Sequence, residues 1–436
     1  MTETPETEVR LMTEPDFEAF AVVVTNAYPV ASDVPAERQR LRVEWAAQSD
    51  DPTTHPYAAF REGRLLGGMQ LHDYTMTFQS SPEAQPAQIP VGGVGMVAVD
   101  LLHKKEHVAR DLITFFLDHY RERGMPLGLL YPFRPDFYKQ MGFGYGAKMS
   151  EYRVRPADLP AQGSKDNLVD LGPEDSEMLL EYYSRYQART HGMLRRTTRE
   201  IERKLSQAQN HLIGYRRNGR LHGYLQYQFR SANERNFLIN DMEVFECLYD
   251  TPEVLMAFLK YLHTQADQIR TIVFWTQEED FQYLFLDPRN GSDYLMPRIY
   301  HASNVQGIGL MYRVLDTELL LRMLSQEGHS FGGQTCRLYL EITDSFLPDN
   351  NGTVVVELEG GHIQAVARAE PHRHSSPETD LVIQLDVADF SSLMLGAVGF
   401  KTLYTYGLAS LSDPEALDRV DRLFRTEARP RCVTAF

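Results

Sequence analysis

Cysteine is scarce in this 436-residue chain: Cys247, Cys336 and Cys432 are the only three, far apart and odd in number. No CxxC pair occurs, so neither a disulfide framework nor a thiolate metal site is indicated. Basic charge is also short, with 44 Lys and Arg against 60 Asp and Glu, a net charge of −16. Nucleic acid and anionic membrane both demand basic patches, so neither is expected as a partner. The same imbalance suits cationic substrates. No apolar run approaches the roughly 20 residues of a membrane span, and MTETPETEVRLM lacks the basic start and apolar core of a secretory leader. The expectation is a reducing, cytoplasmic location. No Ser-His-Asp or thiol-His arrangement is recognisable from spacing. His372 and His374 in EPHRHSS read as part of a solvated loop, and no metal is expected.

What remains is ordinary globular material, 43% hydrophobic and 24% charged, long enough for two to four domains. YAAFREGRLLGGMQLHDYTMTF (57–78) reads as two strands about a turn at Glu62-Gly63, and VGGVGMVAV (91–99) as a buried strand. VARDLITFFLDHYRERG (108–124) spaces Val108, Leu112, Phe115, Phe116 and His119 for one helical face, with Gly124 as the stop. GLLYPF (128–133) is a further strand, and a polar junction follows at 151–177. RLHGYLQYQF (220–229), NFLINDMEVF (236–245), a helix over 251–268 with Thr251 as N-cap, and TIVFWTQ (271–277) repeat the strand-strand-helix-strand order. After MYRVLDTELLLRML (311–324), CRLYLEITD, TVVVELEG and HIQAVARA read as strands separated by turns. Tyr-Arg-Val stands at 152–154 and again at 312–314, and these are taken as matching exit strands.

Two stretches carry chemistry. In FYKQMGFGYG (137–146), Pro135 suits a helix start and Gly142 its stop, which puts Tyr138 on a short helical turn. From those residues alone Tyr138 is open to either core packing or proton donation. In VAVDLLHKKEHVARDLI (97–113), a valine-rich strand runs through a basic loop into a helix. Such a helix start points N–H groups and a positive dipole end at a phosphate. An ordinary strand-to-helix corner with a solvated charge cluster is equally open. Against a phosphate loop of the form Arg/Gln-x-x-Gly-x-Gly/Ala, Ala109 fits, His107 replaces a glycine and Glu106 adds an unhelpful charge.

The whole chain resembles the Eis (enhanced intracellular survival) family of acetyltransferases, on VAV at 97–99, the loop at 104–110, FYKQMGFGYG, MYRVLD, EITDSFLPDN, LMLG and the ending RPRCVTAF. The resemblance implies an α/β architecture: a GNAT domain over 1–153 with the acetyl-CoA site, a degenerate GNAT domain over 154–305, and a sterol-carrier-like domain over 306–436. It implies cofactor contacts from Val97, Ala98, Val99, Lys105, Glu106, His107, Val108, Ala109, Arg110, Phe133 and Arg134. Tyr138 would be the general acid toward the departing thiolate, and the terminal carboxylate of Phe436 the general base. It further implies N-acetylation of a small-molecule primary amine, aminoglycoside- or lysine-like, and assembly into a homo-hexamer. The rival expectation, prompted by Glu106 and His107, is a GNAT scaffold that binds a ligand without catalysis. Lipid carriage by the last domain is a weaker third.

Overall fold

A computed structural model describes residues 7–29, 31, 33–79, 85–233, 235–292, 295–370 and 380–436. His372 and His374 lie outside them. The chain divides into two compact units, one formed by residues up to Gly146 with Leu310–Arg429 and Ala435–Phe436, the other by Ala147–Gly309 with Pro430–Thr434.

The first unit runs β1 (Glu8–Leu11), α1 (Glu14–Ala27), α2 (Val34–Gln48), β2 (Thr54–Arg61), β3 (Arg64–Phe78), β4 (Ala87–Val99), α3 (Val108–Glu122), β5 (Leu127–Leu130), α4 (Pro135–Lys139) and β6 (Gly144–Tyr145). Helices α1 and α2 stand in the first fifty residues, where no element was expected. The turn expected at Glu62-Gly63 joins β2 and β3, with φ of +51° and +77°. The α3 helix buries Val108, Leu112, Ile113, Phe116, Leu117 and Tyr120 against the sheet, each large side chain contributing about 1.5–3 kcal/mol. Phe115 and His119 are half-buried and stack on each other beside Tyr57. Gly92 makes that packing possible, because a Cβ there would meet the Tyr120 ring at 2.2 Å.

The two Tyr-Arg-Val strands are β7 (Lys148–Val154) and β8 (Met311–Val314). The first-unit sheet has the order β1-β2-β3-β4-β5-β8-β6, so β8 is inserted between β5 and β6. In the second unit β7 pairs with Ile269–Thr276 on one side and Asn304–Ile308 on the other. The boundary expected between 153 and 154 thus falls at the end of a strand that pairs in the second sheet. That sheet continues through Asn240–Tyr249, Arg220–Ser231, His211–Arg217 and Leu168–Asp170. Thr251 caps Pro252–His263 as expected, its hydroxyl accepting from the Val254 N–H.

The C-terminal part of the first unit is a five-stranded sheet in the order His362–Ala369, Gly352–Glu359, Cys336–Thr343, Asp380–Asp386, Ala409–Leu411. The glycines of GFGYG let β8 and the helix Val387–Met394 come close. A Cβ on Gly142, at φ +82°, would stand 2.5 Å from the Arg313 guanidinium carbon, and one on Gly144 would stand 2.0 Å from the Ala388 carbonyl oxygen. Lys139 also pairs with Asp389.

In the second unit the tail residues 430–434 are held by buried charge. Arg196 donates to Glu246 at 2.8 and 3.0 Å, to the Val433 carbonyl at 2.8 Å and to the Thr434 hydroxyl at 3.2 Å. Lys204 donates to the same Glu246 at 2.7 Å. Burial opposes all three charges. On Glu246 the two cations prevail and hold its carboxyl far below the ordinary range, whereas on Lys204 burial prevails and lowers the ammonium to about 8. Glu278, just past the strand Ile269–Thr276, pairs with Arg431 at 3.0 Å. Glu246→Gln leaves two buried cations with a neutral partner and is expected to destabilise this unit by about 3–5 kcal/mol. Thermal unfolding checks this, with a Tm within a degree or so of wild type as the contrary result. A folded-state pKa held below the unfolded one gives stability that is full above pH ~4.5 and lost as pH falls further. The wild type should therefore lose more stability on acidification than Glu246→Gln does.

Candidate functional site

Strand β4 pairs in parallel with β5 only from Val91 opposite Leu127 to Val94 opposite Leu130. Beyond Val94 it continues to Val99, and among the described residues this stretch has no strand partner on the β5 side. On its other edge, Gly68 faces Ala98 while Gln70 faces Gly95, so β4 carries one extra residue here, with Met96 at φ +52°. Such a bulge re-aims side chains and leaves backbone groups unpaired. A splayed strand edge is thereby available to an extended ligand. One neighbour, the Tyr28 hydroxyl at the end of α1, donates to the Val97 carbonyl at 2.7 Å.

From Val99 the chain passes Leu101–His103, turns at Lys104–His107 and enters α3, whose first N–H groups have no helical partner. His107 sits at φ +67° and Lys105 at φ +69°. The left-handed backbone that a glycine would supply is therefore present although the glycine is not. Histidine tolerates this region better than most residues, and a β-branched side chain tolerates it poorly. Glu106 turns away from the ligand side. Its carboxylate accepts from Arg61 at 2.7 Å and meets His103 Nδ1 at 3.2 Å, and His103 first and then Arg61 hold its pKa down. Lys104, Lys105 and Arg110 make no ion pair among the described residues.

These elements line one cleft of about 670 Å³. It brings together Val97, Ala98, Val99, Lys105, His107, Val108, Ala109, Arg110, Phe133 and Arg134, all but Glu106 of the expected cofactor contacts, and with them Tyr138, the expected acid. Phe133 is 71% exposed and meets the Tyr28 ring edge-on, and Arg134 pairs with Asp136. Sequence reading missed Tyr28, His103, Phe137, Gln140, Met141, Ser345 and Phe346 on the same walls. The 3.6-residue spacing of Phe17, Phe20, Ala21 and Val24 would have exposed α1 and hence Tyr28. Nothing local to Ser345 and Phe346 marks them.

Tyr138 lies on α4 with 5% of its surface exposed, its ring edge-on to Phe137 at 5.2 Å and to Phe143 at 5.9 Å. It is therefore a core tyrosine and a cleft tyrosine at once. Its hydroxyl makes no hydrogen bond among the described residues. Burial, and after it the nearby Tyr28, pushes its pKa well above that of an ordinary phenol, which keeps the proton in place at neutral pH.

Phe436 is not in that cleft wall but lies further back along β4. A Cβ on Gly95 would stand 2.7 Å from the Phe436 carboxyl carbon and 3.0 Å from one of its oxygens. The Phe436 ring sits among His72, Tyr74 and Tyr131, with centroids 5.6, 5.4 and 5.4 Å away. Gly95 belongs to the bulged stretch that leads to Val97, so the terminal carboxylate and the splayed edge share one strand.

The loop geometry yields a test. For the acetyl-CoA that the sequence resemblance implies, His107→Gly should keep affinity at wild type or better, whereas His107→Val should weaken it on the order of tenfold, since a β-branched residue at φ > 0 costs about 1–3 kcal/mol. Calorimetric titration decides. Equal weakening by both would mean that the imidazole, not the backbone, carries the binding.

Comparison with known proteins finds three domain matches. Residues 8–146 and 192–299 each match an acetyltransferase (GNAT) domain, and residues 321–433 match a sterol carrier protein domain. An uncharacterised N-acetyltransferase of Streptomyces griseus is 23% identical over 400 residues, covering 87% of this chain and 88% of that one. Among solved structures, a GCN5-related N-acetyltransferase from Kribbella flavida superposes with a TM-score of 0.77 at 17% identity, over 99% of each chain. Eis1 from Mycobacterium abscessus gives 0.74 at 19% identity, over 99% of this chain and 100% of that one. The tandem GNAT and sterol-carrier organisation that the sequence resemblance implied is thus the organisation of this protein.

Proposed function

We infer, for a chain that belongs to the GNAT acetyltransferases with the Eis-like arrangement of domains, that it moves an acetyl group from acetyl-CoA to a primary amine within a ternary complex. The observation that carries this is the cleft itself. An unpaired strand edge at 95–99 runs into a helix N-terminus beside cations without ion pairs among the described residues. That is the donor set an extended arm ending in a pyrophosphate requires. Bound there, acetyl-CoA supplies an activated thioester.

The chain's own groups would divide the remaining work. Backbone N–H groups of the splayed edge polarise the thioester carbonyl as the amine attacks its carbon. The Phe436 carboxylate orients the amine and receives its proton once attack has made that nitrogen acidic. As the C–S bond breaks, the Tyr138 hydroxyl donates to sulfur. The net acidity of the chain favours cationic acceptors of the aminoglycoside or lysine-like kind. Cytoplasmic location and a homo-hexamer belong to the same proposal, on the sequence and the resemblance. No helix among the described residues is long and apolar enough to cross a membrane. No group of three or more His, Cys, Asp or Glu among them is placed to hold a metal ion.

Calorimetry with acetyl-CoA, followed by turnover with polyamine and lysine-like acceptors, tests the proposal. Absence of heat and of thermal shift at millimolar donor would favour a scaffold without catalysis. Donor binding without turnover on any amine would leave the cleft reading and remove the acceptor class.

A further inference from the structure

Two phrases of the sequence, MYRVLD and EITDSFLPDN, are not accounted for by the transfer chemistry. The structure joins them. Arg313 of the first, on β8, is fully buried beneath Gly142 and donates to both carboxylate oxygens of Asp344 in the second, at 2.7 and 2.8 Å. Asp344 also accepts from the N–H groups of Phe346 at 3.1 Å and Leu347 at 2.8 Å, and from the Asn350 amide at 3.0 Å. Asn350 in turn accepts from the Thr317 N–H and hydroxyl. A buried ion pair is costly to assemble and repays that cost only when further hydrogen bonds meet its remaining groups, and among the described residues Arg313 Nε alone of this pair's side-chain atoms lacks a partner. Here the network fixes a short surface turn, Ser345-Phe346.

That turn belongs to the sterol-carrier domain, yet both residues line the cleft where α3 begins. The half-buried Phe346 ring carries the Arg110 guanidinium over its face at 5.5 Å. Arg110 stands one helical turn beyond the loop proposed for the pyrophosphate, and it makes no ion pair among the described residues. Along acetyl-CoA the group that follows the pyrophosphate is a ribose bearing a 3′-phosphate and an adenine. The Phe346 ring with the guanidinium over it offers the purine a surface to stack against, and a guanidinium without an ion pair among the described residues suits the phosphate.

We propose that Phe346, held by the Arg313–Asp344 pair, forms with Arg110 the subsite for the 3′-phosphoadenosine end of the donor, so that the sterol-carrier domain completes the acetyl-CoA site. This deepens the function proposed above and rests on it. The sterol-carrier domain then contributes a specificity-determining residue to transfer, whether or not it carries a lipid.

The test is calorimetric titration of the full chain with coenzyme A, dephospho-coenzyme A, which lacks the 3′-phosphate, and 4′-phosphopantetheine, which lacks the whole adenylate, one pyrophosphate phosphate included. Phe346→Ala should weaken both nucleotides about tenfold and leave 4′-phosphopantetheine unchanged, with Phe346→Tyr restoring the wild-type values. Arg110→Gln should weaken coenzyme A about tenfold and dephospho-coenzyme A little, the phosphate being its partner. Equal weakening of all three ligands by Phe346→Ala would assign the ring a purely structural role and overturn the proposal. So would a wild type that binds 4′-phosphopantetheine as tightly as coenzyme A, and that result leaves the acetyltransferase reading intact. A wild type that binds none of the three overturns both.

Discussion

Tyr138→Phe is expected to lower turnover about a hundred- to ten-thousand-fold, the usual worth of one proton-transfer role, while the Kd for acetyl-CoA stays within about twofold. The substitution removes one oxygen and keeps the ring that packs on Phe137 and Phe143. That oxygen makes no hydrogen bond among the described residues, so the fold loses no bond with it. Equal loss of kcat and of donor affinity would instead identify Tyr138 as a wall residue. Unchanged turnover would remove it from the chemistry altogether.

The pH profile separates an acid from a mere contact. Burial raises the Tyr138 pKa well above the ordinary phenol value of about 10. A group whose pKa is raised keeps its proton over a wider range, so kcat should show no alkaline limb from this residue below pH ~10. A raised pKa also makes a weaker acid. In the proposed mechanism the phenol would therefore act by donating a hydrogen bond as charge grows on sulfur, and the apolar surroundings that disfavour phenolate disfavour a bare thiolate as well. On that proposal the hydrogen bond to sulfur would strengthen as the C–S bond cleaves.

How much of this was legible in the sequence depended on whether the signal was local. The strand 91–99, the helix after 108 and the stop at Gly142 are set by neighbours in sequence, and each stands where residue pattern placed it. The cleft along β4 followed, because strand, loop and helix are consecutive. His107 looked like a defect while it was judged by residue type. Its backbone adopts the left-handed turn regardless, and Glu106 is drawn aside by Arg61, which lies 45 residues earlier. Phe346 and Ser345 stood more than two hundred residues from the strand they serve, and no spacing rule spans that distance. The strand insertion was hidden for a related reason. Tyr-Arg-Val at 312–314 has the alternation of any buried strand, and only the sheet register reveals that it pairs with Leu127–Leu130.

Extending the chain by one glycine after Phe436 is expected to cost turnover about as much as losing Tyr138, on the order of a hundred- to ten-thousand-fold, again with acetyl-CoA affinity kept. The added residue moves the carboxylate along the chain by up to about 3.5 Å, away from the backbone of Gly95. There the lack of a side chain admits the carboxyl carbon to within 2.7 Å of where a Cβ would be. Chain ends are ordinarily frayed, yet this one is packed among the rings of His72, Tyr74 and Tyr131. Gly95→Ala makes the same point from the other side, because it leaves the terminus unchanged and removes its seat. It should therefore depress kcat as the extension does. Its effect should not add to that of the extension, since both act by displacing one carboxylate. Full turnover in the extended protein would exclude the terminal carboxylate as the base. A normal Gly95→Ala beside an inactive extension would place the fault in the added residue rather than in the displaced charge.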